Sequence, residues 1–129
     1  MMRREIENWW QQAEIDLQNA GMNLNNKAYY VAVFLCQQAT EKGLKAFFML
    51  TKKESPGVTH SLIYLAKETK VPKEFIDFLA KLTPEFIATR YPDVADEIPA
   101  RLYTEGLAKD FLEKTRGLMT WLRNQMQKQ

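Results

Sequence analysis

Ala28-Tyr29-Tyr30-Val31-Ala32-Val33-Phe34-Leu35-Cys36-Gln37-Gln38-Ala39-Thr40-Glu41-Lys42-Gly43-Leu44-Lys45-Ala46-Phe47-Phe48-Met49-Leu50-Thr51-Lys52 is the stretch on which the fold turns. From Tyr29 to Cys36 it is apolar on every face, as expected of a helix buried at the centre of a domain. Tyr, Val and Phe also favour sheets, so those residues alone could be taken for a strand. The continuation decides it. Gln37 to Phe48 keeps helical spacing, and the whole run is far too long for a strand. Lys52 and Lys53 at its end suit the negative end of a helix dipole.

Upstream, Ile6, Trp10, Ala13, Leu17, Ala20 and Leu24 recur at intervals of four and three residues. They form one stripe of an amphipathic helix from about Arg4 to Leu24. Glu7, Gln11, Gln12, Glu14 and Gln18 lie off the stripe, and Asn23, Asn25, Asn26 and Lys27 end it with turn-prone side chains. Downstream, Glu54-Ser55-Pro56-Gly57 is a loop. Thr59 or Ser61 can cap a short third helix through about Thr69, with Leu62, Leu65 and Ala66 inward. Pro72 suits the first position of a fourth helix, whose face is Phe75, Phe78, Leu79 and Leu82. Pro84 should interrupt or restart that helix before Ala88. Thr89-Arg90-Tyr91-Pro92-Asp93 reads as a bend, and Asp93 to Tyr103 as one loose turn. Thr104 then caps a long last helix with Ala108, Phe111, Leu112, Thr115, Leu118, Met119, Leu122 and Met126 on its inner face.

The fold class that follows is all-α. It is an antiparallel up-and-down four-helix bundle with a short extra helix or helical turn before the last helix. With 129 residues and no linker-like composition, residues 1–129 read as a single domain. No βαβ alternation and no glycine-rich phosphate loop are present, which excludes Rossmann and P-loop chemistry. Eighteen basic against 16 acidic residues, a net charge of +2, is too balanced for a binder of nucleic acid driven by bulk charge. Basic residues on the last helix (Lys109, Lys114, Arg116, Arg123, Lys128) could touch RNA. The interspersed Glu105, Asp110 and Glu113 favour a solvated mixed face. The single cysteine, Cys36, allows neither an internal disulfide nor a cysteine-based metal site, and it fits a reducing, cytoplasmic setting. No apolar run approaches a membrane span and Met1 to Trp10 has no signal-peptide core, so neither export nor membrane insertion is expected.

Three groups of residues could carry chemistry. Gln38, Glu41 and Lys45 share a face of the second helix, with Gln37 four residues before Glu41. They are either a solvated pair where that helix surfaces, or the lining of a polar pocket or dimer seam. His60, the only histidine, could act as a general base or bond exposed backbone at a helix start. It cannot form a histidine cluster for a metal. Arg90, Tyr91 and Asp93 stand in a proline-stiffened bend. The arginine could hold phosphate and the tyrosine could stack a base. Alternatively, an Arg90–Asp93 pair staples the loop. Adjacent Trp9 and Trp10 cannot both face one core, so one should cover a loop or meet a partner.

In combination these residues resemble the HEPN domain family of small helical bundles. The resemblance covers nearly the whole chain. It rests on Trp9/Trp10 followed by Ala13-Glu14-Ile15-Asp16-Leu17, on the string from Ala32 to Ala46, on His60-Ser61-Leu62, and on Thr89-Arg90-Tyr91-Pro92-Asp93 before the last helix. It implies a bundle that usually forms a homodimer and is often encoded beside a minimal nucleotidyltransferase that it binds. It also implies proposed nucleotide binding and, in many members, ribonuclease toxin activity. That activity pairs an arginine with a histidine a few residues later, across the dimer. Toxin members can be silenced by nucleotidylation of a tyrosine near that histidine. Here the residues after Arg90 are Tyr91-Pro92-Asp93-Val94-Ala95-Asp96-Glu97, with no histidine. The expectation is therefore a binding module rather than an enzyme, with no metal and at most a bound nucleotide, within a toxin–antitoxin pair. Arg90 would contact phosphate, Tyr91 would stack, Asp93 would fix the arginine, and Glu41, Lys45 and Gln38 would line the same groove. The alternatives are a diverged ribonuclease using Arg90 with His60, and a purely structural dimerisation domain.

Overall fold

The structure, a computed structural model, describes residues 2–96 and 98–129. Met1 and Glu97 lie outside them, and with Glu97 a part of the expected loose turn. In chain order the helices are α1 (Met2–Asn25), α2 (Tyr29–Lys52), α3 (Leu62–Glu68), α4 (Ile76–Leu82, entered through a 3-10 turn at Lys73–Phe75), α5 (Glu85–Ala88), α6 (Pro92–Ala95), α7 (Pro99–Leu102) and α8 (Glu105–Gln127). Among the described residues there is no strand.

Contacts fix the directions of the three long helices. Asp16 of α1 reaches Lys42 of α2 and Trp9 covers Lys45, so these two run antiparallel. Tyr29 bonds Glu105 and Phe47 meets Trp121, so α2 and α8 run the same way. Arg123 lies over Trp10, while a Cβ at Gly21 would meet Arg116, so α1 opposes α8. These are the directions of the first, second and fourth helices of an up-and-down bundle. The span between α2 and α8 is broken into the shorter helices α3–α7.

α2 is central because its residues leave no polar face over its first turns. Fourteen of its residues are buried, and Val33, Cys36, Leu44, Phe47 and Phe48 join the main core. The α1 stripe meets them: Ala13 and Ala20 are fully buried, and Trp10, Leu17 and Leu24 pack against the same core. Gly43 permits the closest approach. A Cβ there would lie 2.9 Å from Met119 Sδ and 3.3 Å from Leu122. From α8, Ala108, Phe111, Leu112, Thr115, Leu118, Met119 and Leu122 are buried as the spacing predicts. A second small apolar cluster of Ile6, Ala46 and Met49, with Trp9, Trp10, Leu50 and Met126 against it, closes one end of the bundle.

Helix boundaries follow local chemistry. Lys27 takes the left-handed conformation that ends α1 (φ 63) and Lys53 the one that ends α2 (φ 59). Ser61, not Thr59, caps α3 by accepting from the Tyr64 N–H, while Thr59 accepts from the Ser61 N–H. Thr104 caps α8 by accepting from the Leu107 N–H. Pro84 restarts the chain as α5, as anticipated. Two expectations are corrected. Pro72 precedes the 3-10 turn in an extended conformation (ψ 144) and is not the first residue of an α-helix. The stretch from Asp93 to Tyr103 holds parts of two short helices rather than one loose turn. Pro92 and Pro99 each begin one, with φ pre-set for a first helical turn. Asp96 in the left-handed region (φ 54) ends α6.

Candidate functional site

The polar residues of α2 form a buried network. Glu41 Oε2 accepts from Lys45 Nζ at 3.1 Å, and Oε1 accepts from Gln37 Nε2 at 3.0 Å and contacts His60 Nδ1 at 2.9 Å. Gln38 Nε2 donates to Gln37 Oε1 at 2.7 Å. The side chains of Lys45 and Glu41 are only 8% and 7% exposed, so this is not a solvated surface pair. One helix supplies four members because Gln37, Glu41 and Lys45 recur every four residues, with Gln38 beside them. Burying the carboxylate is tolerable because each oxygen has a donor and a cation stands next to it. The Lys45 ammonium is capped by the Trp9 ring, 5.4 Å from its centroid. Trp9 thus covers the end of the network, while Trp10 packs on the main core. That resolves how the adjacent tryptophans divide their faces.

His60 stands at the edge of this network. Its ring, partly open to solvent, is stacked on Phe86 with centroids 4.2 Å apart. A carboxylate at Nδ1 selects the tautomer with the proton there, leaving Nε2 as the proton-accepting nitrogen.

Phe86 also meets Arg90. The guanidinium lies 5.8 Å from the Phe86 centroid, 5.5 Å from Phe34 and 5.2 Å from Tyr91. Its Nε donates to the Phe86 carbonyl at 2.6 Å, which holds the side chain along α5. Arg90 is exposed, as are Tyr91 and Asp93. Among the described residues no carboxylate forms an ion pair with Arg90, so the anticipated Arg90–Asp93 staple is absent. The contacts to the arginine come from three rings and a carbonyl instead.

The structure therefore brings Glu41, Lys45, Gln38, His60 and Arg90 into one continuous set of contacts, with Phe86 as the bridge. It does not bring Asp93 to the arginine. Sequence reasoning passed over Phe86, Phe34 and the buried Asp16, which takes Lys42 at 2.5 Å and Gln12 at 2.9 Å. Phe86 had a legible signal: it precedes Arg90 by four residues and so shares a helical face with it. Among the described residues no group of histidine, cysteine and acidic side chains could hold a metal ion, and no helix is long and apolar enough to cross a membrane.

Behind the site, Tyr103 donates to the Glu85 carboxylate and ties the end of α7 to the start of α5. Burial raises the Glu85 carboxyl above its ordinary range, and the Tyr103 hydroxyl partly offsets this. Tyr103 is itself pushed up by burial and by that carboxylate.

A family model for the HEPN domain matches residues 6–125. The chain belongs to the HEPN domain family. Solved structures agree with the HEPN assignment. TT1696 from Thermus thermophilus superposes with a TM-score of 0.84 at 29% identity, over 96% of this chain and 98% of that one. ST0689, described as an archaeal HEPN homologue, gives a TM-score of 0.80 at 30% identity, over 94% of this chain and 97% of that one. The comparison with curated proteins returns no match.

Proposed function

We propose that this HEPN domain is a binding module whose Arg90 face receives a phosphate-bearing ligand, a nucleotide or a nucleotide-containing substrate. In this reading it works as a homodimer beside a minimal nucleotidyltransferase subunit, within a toxin–antitoxin pair. The observation that carries it is the exposed Arg90 guanidinium. Three aromatic rings and one carbonyl hold it in place, and no described carboxylate neutralises it. A guanidinium so placed keeps its charge and fork for an oxyanion. Tyr91, 47% exposed, offers a ring face to a base. The buried network of Glu41, Lys45, Gln37 and Gln38 anchors His60 and, through it, Phe86.

Support for a partner comes from the segment that follows Arg90. Tyr91, Val94 and Leu102 there are exposed large apolar residues, the kind of side chain a partner surface would cover. The test is ATP titration by calorimetry on wild type and Arg90→Ala, with thermal melts alongside. Loss of binding with an unchanged melt is expected. Equal binding in both overturns the site. Native mass spectrometry of the protein from its source cells tests the homodimer and the nucleotidyltransferase. A bare monomer overturns that part.

One observation favours a second reading, the diverged ribonuclease. His60 is oriented by a buried carboxylate and shares one ring with Arg90, so a base and a phosphate ligand are neighbours. RNA cleavage by the pure protein, lost in both His60→Ala and Arg90→Ala, would select it over the binding module.

A further inference from the structure

A separate cleft lies at the end of the bundle where α1 begins and α2 and α8 finish. It has a volume of about 590 Å³, within the range of small-molecule sites. Leu50, in the last turn of α2, follows Phe34 by sixteen residues, about 24 Å of helix at 1.5 Å per residue. The cleft is therefore remote from the Arg90 face. Its apolar wall is Ile6, Met49, Leu50 and Met126. These are the residues of the small second cluster, which is distinct from the main core. Two of the four are methionines, whose flexible thioether chains adapt to varied apolar shapes.

The rim is charged. Lys53 borders the cleft and, among the described residues, has no ion pair. Arg3 and Glu7 also border it and engage each other at 3.4 Å, so they add no net charge. A second cleft of about 540 Å³ adjoins it, sharing Arg3, Met126 and Gln129. It is floored by Trp10, with Arg123 held over that ring and paired with Glu14 at 2.9 Å. The two share a lining, and among the described charged side chains that border it Lys53 is the one that no ion pair engages.

We propose that this pair of clefts is a ligand site for an amphiphilic monoanion: an alkyl or acyl chain along Ile6, Met49, Leu50 and Met126, with its carboxylate at Lys53. The chemistry follows from the pairing of the two features. An apolar wall alone would accept any oily molecule. A single unneutralised cation at its edge selects a chain carrying one anionic head.

The test is calorimetric titration of decanoate, below its micelle concentration, into wild type, Leu50→Asp, Lys53→Glu and, as a surface-charge control, Lys81→Glu. Decyltrimethylammonium serves as the head-group control. Saturable 1:1 decanoate binding is expected, unchanged in Lys81→Glu. Leu50→Asp should weaken it about tenfold or more, the loss expected when a leucine no longer covers an alkyl chain. Lys53→Glu should weaken decanoate and strengthen the cationic amphiphile. Thermal melts of each variant separate loss of the site from loss of the fold, and reversing the charge of exposed Lys53 at the negative end of α2 should lower the melt only slightly. Three outcomes overturn the proposal: no saturable binding, binding indifferent to Leu50 and Lys53, or equal affinity for both head groups.

Discussion

Replacing Glu41 by glutamine tests whether α2 carries a buried ion pair or a decorative one. The wild-type carboxylate neutralises Lys45 at 3.1 Å inside a region where both side chains are less than a tenth exposed. Glutamine keeps the shape and much of the hydrogen bonding to Gln37 and His60, but leaves the Lys45 ammonium without a counter-charge. Removing one partner of a buried pair costs about 3–5 kcal/mol, against about 0–1 kcal/mol for an exposed pair. The Trp9 ring over Lys45 places the expected loss at the lower end, because cation–π attraction retains roughly 1–2 kcal/mol for a desolvated ammonium. For a domain of this size, 1 kcal/mol shifts the melting temperature by about 4 °C, so Glu41→Gln should melt roughly 10–15 °C lower. Urea unfolding followed by circular dichroism gives the free energy directly, provided the slope is unchanged. The double variant Glu41→Gln/Lys45→Met removes the orphaned charge and should recover much of the loss, a non-zero coupling where two independent defects would simply add. A Glu41→Gln loss below about 1 kcal/mol, or a double variant as weak as the sum of the singles, would refute the buried-pair account.

Three further outcomes follow from local contacts. Tyr103→Phe removes the donor to Glu85 and should cost about 1–3 kcal/mol at pH 7. The Glu85 carboxyl is already raised by burial, and losing the hydroxyl raises it further. The folded state then resists ionising Glu85 above that raised value. The deficit is largest at neutral pH and shrinks as pH falls toward the unfolded carboxylate range, which melts at pH 7 and pH 4 will show. Gly117→Ala should stabilise by about 0.5–1 kcal/mol, because a Cβ there meets nothing within 4 Å and alanine is the better helix former. Gly43→Ala should lose that benefit, since its Cβ would press on Met119 and Leu122 across the α2–α8 contact, and paired melts of the two variants compare them. Cys36 is buried, and desolvation pushes its thiol up to about 12. It should be silent to a disulfide-exchange reagent at pH 8 in the native protein and react fully once unfolded, as a colorimetric assay would read.

The helical class was legible because period and length agreed in the three long segments. The α1 stripe, the all-apolar start of α2 and the inner face of α8 each state a buried surface without reference to the others. The cap Thr104 was legible, and that of α3 narrowed to Thr59 or Ser61, because an N-cap is a local bond of one side chain to a backbone N–H two or three residues on. What could not be read was the span from Pro72 to Tyr103. Prolines there mark where helices can start, and Pro84, Pro92 and Pro99 all do so. How far each helix runs depends on packing against α2, which no local pattern encodes. Lys42 went unread for the same reason: its partner, Asp16, is 26 residues away on α1.

The candidate site divides along the same line. Glu41 and Lys45 share a helix, so their pairing was evident, yet their burial was not. Burial depends on Trp9 from α1 and on the loop that brings His60, and both contacts are tertiary. Arg90 and His60, thirty positions apart, gave no sign of proximity in sequence. They meet because Phe86 presents a ring to each, and Phe86 is placed by α5 packing on α2. An aromatic bridge carries no charge and titrates nowhere, so a search for chemistry-bearing residues passes over it. Its role is to hold two polar side chains at a fixed spacing while leaving both exposed, and that makes the ring the residue whose size sets the geometry of the site. Phe86→Leu should keep the fold, since Phe86 is only half-buried. It should loosen both His60 and Arg90, weakening ATP at the Arg90 face through a higher Kd without altering stoichiometry in the same calorimetric titration. An unchanged Kd would mean that Arg90 takes its position from Phe34, Tyr91 and the Phe86 carbonyl without the Phe86 ring.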